Sequence, residues 1–290
     1  METGPVLVGV DGSEAGLEAV TVAAHEARLR GCPLRVVHAF LWPPSGVYLG
    51  ATMVGTEYTV FREQADKLVK DSVQHAHEAE PGIEIEGIVV TGESLPVMVQ
   101  ETESARLAVV GSRGHGAFAR LLLGSTATHL SAHARCPVLV VRGRPDPGGP
   151  VLLAVDGSAA GEAAVDYAFA EADRRGTGVV AVHIWSAWDS QAPRPSDAAL
   201  PEGANPGELV LAEALAGPLE QYPDVSVERR SIKGSARELL IDASGSAGLV
   251  VVGARGHGGF TGMLLGSVSQ ALLNHAHCPV IVVRGTDPDA

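Results

Sequence analysis

The chain has 290 residues, 46% of them hydrophobic, and a formal net charge of −13. That length fits two domains of ordinary size, and so acidic a balance argues against a general nucleic-acid binder, which needs a basic face, and against docking on anionic lipid. Three cysteines, Cys32, Cys136 and Cys278, are too few and odd in number for a disulfide framework and point to a reducing compartment. No apolar run approaches 18 residues, so no membrane span is expected. Strand-like sequence begins at Val6 with no basic and apolar leader before it, so the expectation is a cytoplasmic protein without a signal peptide.

In chain order, Val6 to Val10 is an apolar run of the kind that makes a buried strand. Asp11-Gly12-Ser13 reads as a turn with Ser13 as N-cap, and an Ala-rich helix runs from it to about Arg30, where Gly31-Cys32-Pro33 stops it. Leu34 to Phe40 is a second strand, Trp42 to Gly55 a loop rich in Pro and Gly, and Thr56 to about Glu78 a long charged helix. A third strand spans Ile83 to Val90, a short helix Ser94 to Ser104, and a fourth strand Leu107 to Val110. A glycine-rich loop follows, then a helix from Ser125 to His133 and a fifth strand from Val138 to Val141.

The second half repeats the first. Val109 to Arg142 aligns without gaps on Val251 to Arg284, with about 21 of 34 positions identical, and Val6 to Ser13 pairs with Val151 to Ser158. Strands are expected near 151–155, 179–185, 225–232, 249–252 and 280–283. Gly143 to Pro150 is a Pro/Gly linker, which gives two domains, 1–144 and 149–290. Strand–helix alternation with apolar strands predicts an α/β fold, each domain a doubly wound five-stranded parallel sheet with helices on both faces. In such a sheet ligands sit beyond the carboxyl ends of the strands where strand order reverses. Those ends carry Asp11 and Gly111, and in the repeat Asp156 and Gly253.

The glycine loops read Gly111-Ser112-Arg113-Gly114, nine residues, Gly124-Ser125, and Gly253-Ala254-Arg255-Gly256, nine residues, Gly266-Ser267. Gly111, Gly114 and Gly116 permit positive φ and close backbone approach. Ser125 is a candidate cap, and the N–H groups of Ser125, Thr126 and Ala127 at the helix start suit phosphate oxygens. A tight strand–helix connection that binds nothing is the plainer alternative, and repetition alone does not exclude it. A Walker A loop does not fit, because Leu123 and Leu265 stand where it needs Lys. Nor does the dinucleotide fingerprint, which follows the first strand of its unit rather than the fourth.

Asp11 is either an Asx residue shaping the turn or a ligand-side carboxylate. Arg113 and Arg255, like His115 and His257, either face phosphate or are solvated loop side chains. His129, His133, His275 and His277 have no matching carboxylate or cysteine constellation, so no metal site is assigned to them. Cys136 and Cys278 each precede a proline and a buried strand, as core thiols would. No nucleophile–base–orienter set, G-x-S-x-G elbow, H-E-x-x-H or carboxylate pair is present, so no catalytic residue is assigned.

The spacing G-x2-G-x9-G-[S/T], after a G-V-D-G-S start and before a C-P-V strand, resembles the ATP-binding branch of the universal stress protein family. The chain looks like a tandem two-domain member, and the likeness covers nearly all of both halves. It implies that Gly111, Ser112, Arg113, Gly114, His115, Gly116 and Ala117 wrap ribose and phosphates, as Gly253, Ala254, Arg255, Gly256, His257, Gly258 and Gly259 do in the repeat. Gly124, Ser125 and Thr126, with Gly266, Ser267, Val268 and Ser269, would hold the β and γ phosphates. Asp11 and Asp156 would sit near the adenine and any Mg²⁺. Backbone near Val37 and His38, or His183 and Ile184, would receive the adenine. Gly9 has Ala154 as its counterpart, a departure whose methyl would crowd the nucleotide. The function implied is that of a stress-response regulator holding one ATP per domain with little or no hydrolysis. The alternative is a slow ATPase or an ATP-using nucleotidyl-transfer enzyme. In the resembled family the fifth strands pair across subunits, so Pro137 to Arg142 and Pro279 to Arg284 suggest pairing of the two halves with each other, and a homodimer through edge strands. A protein partner is expected but not identified.

Overall fold

A computed structural model describes residues 4–41, 54–112, 123–144, 146, 148–185, 206–256 and 264–285. The chain divides into two compact units, Met1–Val141 and Arg142–Ala290.

The first unit runs β1 (Val6–Gly9), α1 (Glu14–Arg30), β2 (Leu34–Phe40), α2 (Val54–Ala79), β3 (Ile85–Thr91), α3 (Ser94–Glu101), β4 (Leu107–Gly111), α4 (Ser125–His133) and β5 (Val138–Val141). Its strands lie in the order β3-β2-β1-β4-β5, and every neighbouring pair is parallel. Val6, Leu7, Val8 and Leu107 to Val110 are buried, as strands of a parallel sheet covered on both faces must be. Chain order runs outward from β1 to β3 on one side and from β4 to β5 on the other. The helices follow that reversal: α1 packs with α2, and α3 with α4. The switch point lies between β1 and β4.

Local sequence sets the ends of these elements. Ser13 caps α1 by accepting the Gly16 N–H at 3.1 Å, and Gly31 ends it at φ 58°, its N–H turned back to the Ala27 and Arg28 carbonyls, the left-handed stop that glycine alone adopts without strain. β3 starts at Ile85, two residues after the expected Ile83, because Pro81 and Gly82 form a turn and pairing opens only with the bond from the Leu34 N–H to the Glu84 carbonyl, 2.8 Å. Under α1, Glu26 and Arg30 form an ion pair with both side chains almost fully buried.

The second unit repeats the frame: β6 (Val151–Val155), α5 (Ala159–Arg175), β7 (Val179–Trp185), α6 (Pro206–Gln221), β8 (Val227–Lys233), α7 (Ala236–Ala243), a 3-10 turn (Ser244–Ser246), β9 (Leu249–Gly253), α8 (Ser267–His275) and β10 (Val280–Val283). The order is β8-β7-β6-β9-β10, again parallel throughout. Ser158 caps α5 and Gly176 ends it at φ 63°. Buried Glu171 takes the place of Glu26 and binds both Arg174 and Arg175. The guanidinium of Arg142 donates to the Asn274 carbonyl at 2.7 Å and the Leu272 carbonyl at 3.0 Å, satisfying carbonyls that the end of α8 leaves open. Among the described residues no helix is long and apolar enough to cross a membrane.

Candidate functional site

In each unit the first turn after the switch-point strand is built the same way. Asp11 Oδ1 accepts the Ser13 N–H at 3.0 Å and its hydroxyl at 2.6 Å, and Asp156 Oδ1 accepts the same two donors of Ser158 at 3.0 and 2.7 Å. These are Asx turns, so the turn-forming reading of Asp11 holds in both halves. Two glycines that the sequence reading passed over make room for them. A Cβ at Gly16 would lie 3.1 Å from Asp11 Oδ1, and one at Gly161 2.9 Å from Asp156 Oδ1. The signal was present: D-G-S-x-x-G occurs at both starts, although glycine inside a helix costs about 1 kcal/mol against alanine.

The glycine loops leave and return at one point. The Gly124 N–H donates to the Ser112 carbonyl at 2.9 Å, and the Gly266 N–H to the Ala254 carbonyl at 2.8 Å. That bond corrects the expected cap. Gly124, not Ser125, is the N-cap of α4, Gly266 is that of α8, and neither start has a side-chain cap bond. Thr128 N–H and Gln270 N–H make the first helical bonds, to Gly124 and Gly266 at 3.0 Å each. The N–H groups of residues 125–127 and 267–269 precede those bonds and so have no partner within their helices. Because the caps are glycines, no cap side chain covers these donors.

The walls of the loops are close. A Cβ at Gly111 would lie 2.6 Å from the Ala15 carbonyl oxygen, so the end of β4 touches the first turn of α1. In the second unit a Cβ at Gly256 would lie 2.0 Å from Asp156 Oδ2; the loop backbone rests on that carboxylate. Gly111, Ser112, Gly124, Ser125 and Thr126 thus lie along one loop base that touches the first turn of α1, and Gly253, Ala254, Arg255, Gly256, Gly266, Ser267, Val268 and Ser269 along its counterpart, where Gly256 meets Asp156. Ser269 is turned the other way from its expected role: its hydroxyl is buried and donates to the Gly253 carbonyl at 2.7 Å, tying α8 to β9. Arg113, Gly114, His115, Gly116 and Ala117, with His257, Gly258 and Gly259, lie outside the described residues.

At the other side of the crevice the ends of β2 and β7 differ in detail. Val37 does not offer its carbonyl, which accepts the Val10 N–H at 2.9 Å. His38 Nδ1 donates to the Val10 carbonyl at 2.8 Å, and His183 Nδ1 to Val155 in the same way, also at 2.8 Å; a carbonyl only accepts, so Nδ1 carries the hydrogen. The β1–β2 pairing stops at Gly9–Val37. By the alternation of a parallel ladder, Ala39 is the residue whose backbone then faces the open crevice. Sequence reading had stopped one residue short of it, at His38. In the second unit pairing continues to Val155–His183. There His183 is buried, and its Nε2 and the Trp185 Nε1 have no hydrogen-bond partner among the described residues. Gly9 turns from the crevice as well: a Cβ there would meet Met98 Cε of α3 at 2.9 Å. The difference between Gly9 and Ala154 is therefore met by helix packing.

Among the described residues no three His, Cys, Asp or Glu side chains converge as a metal site. Burial pushes the Cys278 thiol up to about 12, against a smaller downward pull from Arg142, so at neutral pH it is a core thiol.

Comparison with known proteins bears on this geometry. The sequence profile described as "Universal stress protein family" matches residues 2–142 and again 149–284. A universal stress protein of Mycolicibacterium smegmatis is 40% identical over 290 residues, covering 96% of each chain. The crystal structure of a universal stress protein from Archaeoglobus fulgidus superposes with TM-score 0.72 at 20% identity, covering 98% of this chain and 97% of that one. A shorter protein of that family from Archaeoglobus fulgidus, solved in complex with dAMP, is 26% identical and covers 49% of this chain and 100% of its own, with TM-score 0.36. With two profile matches that together span nearly the whole sequence, the chain belongs to the universal stress protein family, as a tandem of two such domains.

Proposed function

We propose that the chain is an ATP-binding stress-response regulator with domains at 1–144 and 149–290, each taking one ATP with Mg²⁺ and hydrolysing little or none of it. The observation that carries this reading is the glycine-capped start of α4, repeated at α8, each pinned to the strand it follows by a single backbone bond. Three N–H donors at a helix start, uncovered by any cap side chain, suit an anion with several oxygens. The helix dipole adds roughly 0.3–1 kcal/mol, so hydrogen bonds from several amides must supply most of the grip. The backbone at Ala39, and its counterpart Ile184, suits a purine edge, and the carboxylates of Asp11 and Asp156 suit a phosphate-bound Mg²⁺. ATP would act by binding one conformation of the chain more tightly than another. The same reading includes a cytoplasmic location, a protein partner and self-association through sheet edges.

The test is to denature the purified protein and identify by mass spectrometry the nucleotide it releases. ATP is expected, with no turnover of added labelled ATP on the enzyme scale of roughly 1–10³ s⁻¹. Folded protein that carries no nucleotide and binds none at millimolar concentration contradicts the proposal.

A further inference from the structure

α4 carries two histidines one helical turn apart, and their rings lie against each other: the centroids of His129 and His133 are 4.2 Å apart with an interplanar angle of 32°. Both residues are half-buried, so solvent reaches the pair. Residues at i and i+4 share a helix face, and two imidazoles at that spacing supply half the ligand set of a helical zinc site.

We propose that His129 and His133 form a two-imidazole clip for a borderline divalent cation of the zinc, nickel or copper type, with solvent completing the coordination. Two cis nitrogens at metal–nitrogen bonds of about 2.0–2.1 Å lie about 3 Å apart, so the rings, now face to face, would turn about their side-chain torsions until their in-plane lone pairs converge on the cation. Imidazole nitrogen selects these cations over Mg²⁺, which takes oxygen, so the clip is chemically separate from a nucleotide-bound magnesium and does not rest on the nucleotide reading. His133 is the last residue of α4, where the helix dipole favours positive charge. With two protein ligands the clip is weaker than a closed four-ligand site. The second unit holds His275 at the place of His133 but Ala271 at the place of His129, so the clip belongs to the first unit alone.

That asymmetry provides the control. The full chain is titrated with nickel chloride or zinc chloride by calorimetry, in excess Mg²⁺. The wild type is expected to show one site tighter than its scattered surface histidines. His129→Ala and His129→Gln remove that site, weakening it by more than the about 10–100-fold that an outer partner of a metal ligand is worth, with the circular dichroism spectrum unchanged. Ala271→His adds a second site of similar affinity. Superimposable isotherms for the wild type and both His129 variants overturn the proposal.

Discussion

The two units share one frame, yet they differ at the rim of the crevice. Around the glycine-capped helix start they agree bond for bond: the same Asx turn, the same loop base, and the same glycine cap. At the ends of β2 and β7 they part. Pairing of the first two strands stops at Gly9–Val37 in one unit and reaches Val155–His183 in the other. On the adjoining face Phe40 meets Tyr58 edge-on at 5.9 Å, where the second unit sets Trp185 beneath the Lys233 ammonium, 5.6 Å from its ring. Backbone donors at a helix start depend on the position of a few glycines, and both copies retain them. Side chains at the end of a strand can change without breaking the sheet, and here they have.

The sharpest way to test how far the frame is shared is to break it under α1 and α5. Glu26→Gln strands the buried Arg30 and should lower stability by about 3–5 kcal/mol, read by urea unfolding; Glu171→Gln should cost less, because water reaches the Arg174 and Arg175 side chains it leaves behind. A smaller effect separates the two loops. Gly111→Ala drives a methyl into the Ala15 carbonyl, 2.6 Å away, whereas at Gly253 the nearest atom is 3.1 Å away. The first substitution should cost about 1–3 kcal/mol and the second less; equal midpoint shifts would show that the loops are wedged alike. At neutral pH the last effect is silent, and it appears only in alkali. Cys278 is held protonated by burial, up to about 12 from an ordinary 9.0. The unfolded thiol ionises first, so this contribution is intact below pH 9 and is lost as the pH rises toward 12. Alkylation at neutral pH followed by peptide mapping should modify half-buried Cys32 before Cys278.

Much of this was legible in the sequence. Apolar runs such as Val151 to Val155 and Leu107 to Val110 became central strands, because a strand covered on both faces has no polar alternation to confuse it. The reversal point, and with it the approach of the end of β4 to the first turn of α1, followed from strand–helix alternation. Single-residue details were not legible, since long-range bonds decide them. The cap of α4 is Gly124 rather than Ser125 because the Gly124 N–H reaches back to Ser112. Ser269 faces inward because the Gly253 carbonyl needs a donor there. Ala39 was missed, although its counterpart Ile184 was named, because where β1 stops pairing with β2 is a matter of register that no local pattern carries.

The central claim is that each unit grips one nucleotide against its own loop. Titrating the full chain with ATP and Mg²⁺ by calorimetry, beside a Gly256→Ala variant whose added methyl would lie 2.0 Å from Asp156 Oδ2, tests it most directly. Two molecules bound per wild-type chain and one per variant chain is the predicted result; the same stoichiometry and affinity in both, or no binding by folded wild type, would contradict it.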